Sequence, residues 1–422
     1  MSQRALKVAL LGFGTVGASV ARILVERPEL AARLQLTHVF NRDVARKRAA
    51  WMPGSVIWTD DYEQVLSSAP DIVVEVVGGV NPAREWVSRA IERGSSVVTA
   101  NKMLLAAHGP ELLRAAAVRG VELRFEAAVA GGVPLIHGVR EGLAGDRLTG
   151  VAGILNGTCN YILSRMSATQ EPMETVLADA QRLGYAEADP SADVDGHDAA
   201  AKLVVLVGVA FRRHLQLGEV PRRTIRSLTT ADFQYANRLG CTIRQVSRAQ
   251  IVDNSFHAWV GPALVPQGSS FGRNEGANNF VSIYGKYGGE TSFSGAGAGG
   301  LATAVAVVSD LLSLTAERRR HEVEEWLPGS PAAPPPMPYY LRFVVHDKPG
   351  ILAFIAAALA RQGVNLDALL QEPGYPKDQL PFVITLEPCA EAQLHAALAE
   401  ISKTEWHAVP PLALPMLVSG NS

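Results

Sequence analysis

Residues 6–17, LKVALLGFGTVG, decide the fold of the first third of the chain. The apolar segment Leu6–Leu11 predicts a short buried strand. A G-x-G-x-x-G motif follows at once, and its glycines permit a tight turn and a close approach of the backbone to a pyrophosphate. With the helical pattern of Val20, Ile23 and Leu24 that comes next, this order predicts a dinucleotide-binding α/β domain, and a plain tight turn is the alternative. The motif residues expected at the cofactor are Gly12, Phe13, Gly14, Thr15, Val16 and Gly17.

Further apolar segments place that first strand in a parallel sheet. Strands are expected at residues 36–40, 72–77, 96–99 and 122–125, and a helix is expected at residues 82–93. The segment 72–77 is apolar at almost every position, as is typical of a strand buried on both faces of a parallel sheet. The prediction is therefore an α/β chain whose residues 1–132 form a Rossmann-type NAD(P)-binding domain.

Two basic residues that follow predicted strands are candidates for contact with the cofactor. Arg42 stands where NAD-binding domains usually carry an acid for the ribose 2′-hydroxyl, and its charge favours the 2′-phosphate of NADP. Asp43 lies one position later, so NAD remains an alternative. Lys102 follows another strand, and ligands of open α/β sheets bind beyond the carboxyl ends of strands. We therefore expect Lys102 near the nicotinamide, the alternative being an ordinary exposed lysine.

A second informative stretch, residues 183–202, reads LGYAEADPSADVDGHDAAAK and holds five acidic residues before Lys202. Asp198 and Lys202 are spaced i,i+4, which on a helix puts them on one face within ion-pair reach. A lysine presented in this way is a candidate for proton transfer. The alternative is a capped helix with a surface salt bridge, in which Asp195 or Asp198 is the N-cap.

Two loops of small residues carry weaker signals. Residues 126–134, EAAVAGGVP, would expose backbone carbonyls that together with Glu126 could bind a hard cation, although a tight connection between domains explains the glycines equally well. Residues 295–300, GAGAGG, precede an apolar helix at 301–314 that is expected to return to the first domain. Those glycines either admit the cofactor or form a flexible joint.

Composition shifts after the first domain. Residues 133–300 are expected to form an α+β catalytic and dimerisation domain, with strands at 242–246, 257–260 and 280–284 and a helix at 172–183. The returning helix would extend to residue 326, and the Pro-rich residues 327–338 predict an extended linker. Residues 339–422 then read as strands and helices in the order βαββαβ, a ferredoxin-like unit. Pro410, Pro411 and Pro415 place its last strand, somewhere within 406–418, at a sheet edge.

Overall composition excludes several classes of function. The chain has 422 residues, 48% hydrophobic and 19% charged, which is ordinary for a soluble protein of two or three domains. Its net charge of -2 argues against a nucleic-acid partner. The longest apolar runs are too short to cross a bilayer, and no signal peptide is recognisable. Three scattered cysteines predict a reducing cytoplasm without a disulfide framework or a zinc site.

Taken together, four motifs resemble the homoserine dehydrogenase family over approximately residues 5–320. They are the G-x-G-x-x-G motif, Asn101-Lys102, GILNGTCNYIL at 153–163, and LGYAEADP with its D-V-x-G-x-D-x-x-x-K continuation at 193–202. That family oxidises homoserine to aspartate 4-semialdehyde with NAD(P) as hydride acceptor. The resemblance implies Lys202 and Lys102 as catalytic residues and Glu187, Asp198 and Gly184 at the substrate, with Lys102, Gly184 and Gly297 also at the cofactor. It further implies a monovalent-cation site, with Na+ expected, formed by Glu126, Val129, Gly131 and Val133.

The C-terminal unit resembles an ACT domain, a module that binds amino acids and often pairs with a second copy. The resemblance lies in the turn DKPGIL at 347–352 and in GVNL at 363–366. It implies feedback control in threonine, methionine and isoleucine biosynthesis, with threonine as the expected effector, and a homodimer or homotetramer. The alternative is a dimerisation module without a ligand.

Two other functions compete with this interpretation. An aspartate-semialdehyde dehydrogenase also begins with a dinucleotide fold, but it needs a nucleophilic cysteine with a base. Cys159 is the one cysteine near a plausible site, and no histidine partner is identifiable for it. A non-enzymatic sensor of NADP and amino acids would use the same modules but would leave the acidic stretch before Lys202 without a purpose.

Overall fold

The computed structural model describes residues 4–316 and 325–417, and the chain divides into two compact units. Unit 1 consists of Met1–Val151, Ala199–Val220 and Asn278–Ser330, and unit 2 of Ala152–Asp198, Pro221–Ala277 and Pro331–Ser422. The five domain limits expected from sequence (1–132, 133–300, 301–326, 327–338 and 339–422) stay a prediction.

The secondary structure follows the expected order of elements. The strands in chain order are β1 (Leu6–Leu11), β2 (Leu34–Phe40), β3 (Ile57–Thr59), β4 (Ile72–Glu75), β5 (Ser96–Thr99), β6 (Leu123–Arg124), β7 (Leu148–Ile154), β8 (Arg213–Leu215), β9 (Cys241–Val252), β10 (Ser255–Pro266), β11 (Asn278–Gly285), β12 (Gly289–Ala296), β13 (Leu327–Gly329), β14 (Met337–Val345), β15 (Leu366–Leu370), β16 (Leu380–Cys389) and β17 (His407–Pro415). The α-helices are α1 (Thr15–Glu26), α2 (Val44–Lys47), α3 (Tyr62–Ser67), α4 (Ala83–Glu92), α5 (Lys102–Arg119), α6 (Leu135–His137), α7 (Gly157–Thr169), α8 (Met173–Arg182), α9 (Ser191–Val194), α10 (His197–Phe211), α11 (Thr230–Arg238), α12 (Ser270–Arg273), α13 (Gly300–Ser313), α14 (Ile351–Arg361) and α15 (Glu391–Ile401).

A six-stranded parallel sheet is the centre of unit 1. Its strand order is β3-β2-β1-β4-β5-β6, which is the order of dinucleotide-binding Rossmann folds. The prediction of this fold class is confirmed, and β1 and β5 have the expected limits. The short edge strand β3 was not predicted because three residues are too few to show a periodic pattern. The strand order reverses between β1 and β4, and this is where such sheets bind ligands.

Helix α13 brings a distant part of the chain back onto this sheet. Its apolar residues Val307 and Leu311 are buried in the same core as Val20 of α1. The approach at its start is close, because a Cβ added to Gly300 would lie 2.6 Å from the Oγ of Ser19. Gly300 therefore begins a tightly packed helix, and Gly295 belongs to β12.

Trp326 lies in unit 1 between two helices that each offer it a glycine. Its side chain is 2% exposed. A Cβ added to Gly109 of α5 would lie 2.7 Å from one indole carbon, and a Cβ added to Gly208 of α10 would lie 2.5 Å from another. The indole also packs edge-on against Phe125, with ring centroids 5.9 Å apart. Large and small residues thus interlock here, and the spacing of α5 and α10 depends on this one ring.

Two antiparallel hairpins account for the predicted strands in the middle of the chain. Strand β10 pairs with β9 in unit 2, and β12 pairs with β11 in unit 1. The segments expected at 242–246, 257–260 and 280–284 are the apolar middles of longer strands. Strand β12, GETSFSGA, was missed because its small polar residues lack the apolar alternation that indicates a strand.

Within unit 2, the C-terminal residues form the expected βαββαβ arrangement. Strands lie in the order β15-β16-β14-β17, all pairs antiparallel, and β17 is at an edge as its prolines predicted. Alternate residues of β14 point to opposite faces of the sheet and pack in two different cores. Tyr339, Leu341 and Phe343 face the core formed with α14 and α15. Tyr340 lies in the core that contains Phe233 of α11.

The second face of this sheet is joined to α11 by a buried ion pair. Arg342 donates to the carboxylate of Asp232 over 2.7 Å, and Tyr340 donates to the same carboxylate over 3.0 Å. Neither charged side chain is more than 4% exposed. Burial raises the pKa of Asp232, and the charge of Arg342 opposes that rise. The C-terminal sheet is therefore built into unit 2 and shares a core with it.

Two parts of the Pro-rich linker form backbone hydrogen bonds with other segments of the chain. In unit 1, β13 pairs with β8 in parallel. In unit 2, the amide of Ala332 donates to the carbonyl of Phe256 over 2.7 Å. No helix of residues 4–316 and 325–417 is both long enough and apolar enough to cross a membrane.

The packing of Trp326 gives a stability prediction. In Gly208→Ala the new methyl would meet the rigid indole at 2.5 Å, and we expect the free energy of unfolding to fall by about 1–3 kcal/mol from overpacking. This loss should exceed the gain of about 1 kcal/mol in helix propensity. Urea denaturation measures the change. Gly54→Ala is the control, since no atom lies within 4 Å of its added Cβ, and equal stability of the two variants would contradict the packing argument.

Candidate active site

The glycine loop after β1 has the geometry that a pyrophosphate requires. Gly12 adopts a φ of +100°, and a Cβ there would lie 3.0 Å from the carbonyl oxygen of Val76. A Cβ on Gly17 would lie 2.1 Å from the Gly12 oxygen, whereas nothing lies within 4 Å of one on Gly14. Helix α1 begins at Thr15 with no side-chain cap, so no side chain competes with a ligand for its first amides. These residues therefore fit a dinucleotide.

The other motif residues contribute differently. Phe13 is buried and packs edge-on against Trp58 at 4.7 Å between ring centroids, which makes it part of the core. Val16 is half-buried against the same core, and Thr15 is exposed at the first position of α1.

Arg42 and Asp43, which follow β2, have different surroundings. The carboxylate of Asp43 accepts from the amide of Arg46 over 3.1 Å and so caps α2. The amide of Asp43 in turn donates to the side chain of Asn41 over 3.0 Å. Arg42 is exposed beside them. The carboxylate of Asp43, which left NAD as an alternative, therefore caps α2. The exposed guanidinium of Arg42 is available to a ligand.

Lys102 is the first residue of α5 and is held there by its neighbour. Asn101, 4% exposed, is the N-cap and accepts from the amide of Leu104 over 3.1 Å. The amide group of Asn101 also donates to the carbonyl of Gly79 over 2.6 Å. The backbone at Lys102 is thus tied to the loop after β4.

Glu75, the last residue of β4, was not singled out in the sequence. It is fully buried, and its carboxylate accepts from the amides of Val77 and Gly78 over 2.8 and 3.1 Å. It also accepts from the hydroxyl of Thr99, at the end of β5, over 2.6 Å. The signal that could have revealed it is one carboxylate within an apolar strand, since buried charges are rare unless they are used.

Lys202 lies on α10 in unit 1 and is the one ionisable residue between Ala199 and Phe211. Its neighbours Ala201 and Leu203 are fully buried, and Lys202 is half-buried. Because Trp326 packs against Gly208 of the same helix and against Gly109 of α5, one ring contacts both helices that carry the candidate catalytic lysines.

Asn156 brings two acids of the 183–202 stretch together in unit 2. Its side-chain amide donates to Asp193 over 2.6 Å and to Asp198 over 2.9 Å. Its oxygen accepts from the amide of Cys159 over 2.8 Å and so caps α7. The sequence had indicated only a polar turn at this position, because the partners of Asn156 are distant along the chain.

The remaining acids of the stretch have separate roles. Helix α10 begins at His197, so neither Asp195 nor Asp198 occupies its N-cap position, and that part of the alternative is wrong. The salt bridge of the same alternative stays a prediction. Asp195 instead accepts from Arg226 over 2.9 Å, and this hydrogen bond lowers the pKa of Asp195. Glu187 is exposed, and within residues 4–316 and 325–417 its carboxylate has no hydrogen bond or ion pair. Glu187 is therefore available to a ligand.

Gly184 ends α8. Its φ is +78°, its amide donates to the carbonyl of Gln181 over 3.1 Å, and no atom lies within 4 Å of an added Cβ. Glycine is required here to terminate the helix, whatever it binds.

Glu126 is a buried carboxylate in a dense network of unit 1. It accepts from the amides of Ile136 and His137 over 2.8 and 2.7 Å, and it lies 2.8 Å from Nδ1 of His137. That hydrogen bond raises the pKa of His137. Asp310 accepts from the amide of Glu126 over 2.8 Å, and burial raises the pKa of Asp310 to about 6.

The loop after Glu126 is closed by contact with the second glycine-rich stretch. Gly131 has a φ of +57°, and a Cβ there would lie 2.4 Å from the carbonyl oxygen of Gly297. The structure thus brings the predicted cation loop to the predicted cofactor residue Gly297. Val129 and Val133 are buried, and the carbonyl of Val133 accepts from Leu135 over 2.8 Å.

Glu126 and the carbonyls of this loop are oxygen donors of the kind that hard cations prefer. One carboxylate and several backbone carbonyls are oxygen ligands, and a carboxylate that accepts amide bonds keeps further lone pairs. A metal site made of three or more His, Cys, Asp or Glu side chains does not occur in the described parts of the chain.

Cys159 does not have the setting of a nucleophile. Its side chain is fully buried, and its thiol donates to the carbonyl of Asp193 over 3.2 Å. An aspartate-semialdehyde dehydrogenase would need an accessible thiolate there.

Comparison with known families gives matches over most of the chain. Residues 12–126 match the NAD-binding domain of homoserine dehydrogenase, residues 134–312 match homoserine dehydrogenase, and residues 339–405 match the ACT domain. The chain is 37% identical to the homoserine dehydrogenase of Pseudomonas aeruginosa, over 95% of this chain and 96% of that one. It is 42% identical to the enzyme of Mycobacterium tuberculosis, over 88% and 87%.

Solved structures agree with these matches. The crystal structure of a homoserine dehydrogenase from Thiobacillus denitrificans superposes with a TM-score of 0.91 at 36% identity, covering 98% of each chain. A hyperthermophilic archaeal homoserine dehydrogenase in complex with NADPH gives a TM-score of 0.64 at 25% identity, covering 75% of this chain and 99% of that one.

The contacts of Asn156 give a second prediction. Asn156→Ala removes the cap of α7 and the amide between two carboxylates, and we expect it to lower the free energy of unfolding by about 1–3 kcal/mol. Asn156→Asp is the matched control, since it keeps a capping oxygen but adds a third acid beside Asp193 and Asp198. We expect Asn156→Asp to lower the free energy of unfolding at least as much as Asn156→Ala does. Urea denaturation at neutral pH measures both variants. Wild-type stability of Asn156→Asp would show that bridging the two acids contributes nothing.

Proposed function

The chain belongs to the homoserine dehydrogenase family of oxidoreductases, and from that premise we propose that it interconverts L-homoserine and L-aspartate 4-semialdehyde with NADP or NAD. A nicotinamide cofactor is supported by the Rossmann sheet and by the fit of the glycine loop. The observation that carries the proposal is the placement of Lys202, the one ionisable residue in an otherwise apolar length of α10.

We assign the proton transfer to Lys202. Its amine takes the proton of the substrate hydroxyl as the C–O bond becomes a carbonyl, and in the reverse direction it returns that proton to the developing alkoxide. When bound, the cofactor supplies the acceptor for the hydride. Lys102 is proposed as the second catalytic lysine, at the nicotinamide end of the site, and its fixed position at the start of α5 supports this role.

Carboxylates suit the α-ammonium group of homoserine. We propose that Glu187 and Asp198 bind it, with Gly184 beside them. The exposed carboxylate of Glu187 and the hydrogen bond from Asn156 to Asp198 support the assignment. Gly184 and Gly297 are also proposed to contact the cofactor.

A monovalent cation, with Na+ as the expected ion, is proposed at Glu126 and the backbone carbonyls of Val129, Gly131 and Val133. The burial of Glu126 and the close contact of Gly131 with Gly297, which fixes the loop, support this site. It would lie next to the cofactor residue Gly297.

For the C-terminal domain we propose an amino-acid effector site, with threonine as the ligand, in a cytoplasmic homodimer or homotetramer. The reaction would then belong to threonine, methionine and isoleucine biosynthesis. The ACT match supports effector binding, and the buried pair of Asp232 and Arg342 supplies a direct connection from the ACT sheet to α11. A domain used for dimerisation alone would leave turnover unchanged by threonine.

Lys202→Ala tests the central assignment. We expect kcat to fall by about 10²–10⁴-fold, because the general base is removed, while the Kd for NADPH stays within about twofold. The assay follows homoserine-dependent reduction of NADP in the absence of phosphate, a condition that an aspartate-semialdehyde dehydrogenase would not meet. Lys286→Ala, an exposed lysine of the same unit, is the control. Near-wild-type turnover would remove Lys202 from the mechanism.

Arg42→Ala tests cofactor choice. Loss of a charge-assisted bond to the 2′-phosphate should raise the KM for NADP by about tenfold or more and leave the KM for NAD nearly unchanged. Steady-state kinetics with both cofactors measure this difference. The control is Arg48→Ala, an exposed arginine at the end of α2. If both variants raise the two KM values equally, Arg42 does not select the 2′-phosphate.

A further inference from the structure

Glu75 is a buried carboxylate beside the point of the parallel sheet where the strand order reverses. It ends β4, where it pairs in register with Leu11 of β1 on one side and with Thr99 of β5 on the other. Leu11 immediately precedes the glycine loop, and the strand order reverses between β1 and β4. In open α/β sheets the dinucleotide crosses this point.

All the partners of the Glu75 carboxylate are donors. They are the amides of Val77 and Gly78, the hydroxyl of Thr99 at 2.6 Å, and the side-chain amide of Asn101 at 3.4 Å. The orientation of the Asn101 side chain is set independently, since its nitrogen donates to Gly79 and its oxygen accepts from Leu104. These four groups together donate to both oxygens of the carboxylate.

These partners are all neutral. Within residues 4–316 and 325–417, no lysine, arginine or histidine forms an ion pair with Glu75. A buried carboxylate without a charged partner costs free energy that its hydrogen bonds only partly offset, and a bound cation would offset more of it. Merely joining the loops after β4 and β5 would be achieved as well by a neutral amide.

We propose that Glu75 stabilises the positive charge of the oxidised nicotinamide ring and thereby sets the relative affinity for oxidised and reduced cofactor. The inference rests on the proposed dehydrogenase function, but it concerns cofactor binding and is independent of any step at homoserine. Glu75 is a positioning residue for the Asn101-Lys102 turn, and its charge adds a preference that a structural link would lack. The pyrophosphate repels Glu75 equally in both forms of the cofactor, so its effect cancels in the ratio of their affinities.

The test compares the Kd values of NADP+ and NADPH for the full-length protein without homoserine. In Glu75→Gln we expect the affinity for NADP+ to fall by at least about fivefold more than the affinity for NADPH. Thr99→Val is the matched control: it removes one donor but keeps the charge, and it should weaken both forms by the same factor. Folded Glu75→Gln protein with the wild-type ratio of Kd values would overturn the proposal. If the wild-type protein shows no homoserine-dependent reduction of NADP while Glu75→Gln changes the ratio as expected, the assigned reaction is wrong and the charge effect stands.

A second measurement tests the proposal even if the Glu75→Gln variant does not fold. Infrared difference spectra of the wild-type protein are recorded on binding NADP+ and on binding NADPH. A carboxylate stretching band that shifts with NADP+ alone, and that moves in Glu75→Asp, is the expected result. Identical carboxylate bands for the two forms would overturn the proposal.

Discussion

The indole of Trp326, held between glycines of α5 and α10, is the contact on which the candidate catalytic geometry of unit 1 depends. Helix α5 begins with Lys102, and α10 carries Lys202. Neither glycine leaves room for a methyl group beside the ring. The same residue directly precedes β13, so the start of the linker to the C-terminal domain is anchored at the place that sets the spacing of the two helices.

Buried carboxylates recur around this arrangement, and each is satisfied by groups close to it. Glu75 is held by two backbone amides and by side chains of β5 and its loop. Glu126 accepts backbone amides at the start of α6 and the ring of His137. Such networks keep charge in the interior at the positions where ligands of opposite charge are proposed, and they rigidify the loops around those positions.

The C-terminal domain has two faces with different roles. One face of its sheet is covered by α14 and α15, and the other shares a core with helices from the remainder of unit 2. The buried pair of Asp232 and Arg342 fixes that second face, since removing either partner would leave an unpaired charge in the interior. A ligand that alters β14 would therefore act on α11 directly, without transmission through a flexible linker.

The sequence by itself determined the elements whose patterns are local. The strand, glycine motif and helix around residues 6–26, the i,i+4 spacing of Asp198 and Lys202 on α10, and the βαββαβ order after residue 337 follow from periodicity and turn chemistry. Only the tertiary structure decided that Glu75 meets Thr99, that Asn156 bridges Asp193 and Asp198, and that Trp326 lies against Gly109 and Gly208. Each of these contacts joins residues far apart along the chain, and periodicity reports only which face of an element is buried. Which distant side chains meet on that face is set by how the elements pack, and for this protein that packing is what places its buried charges.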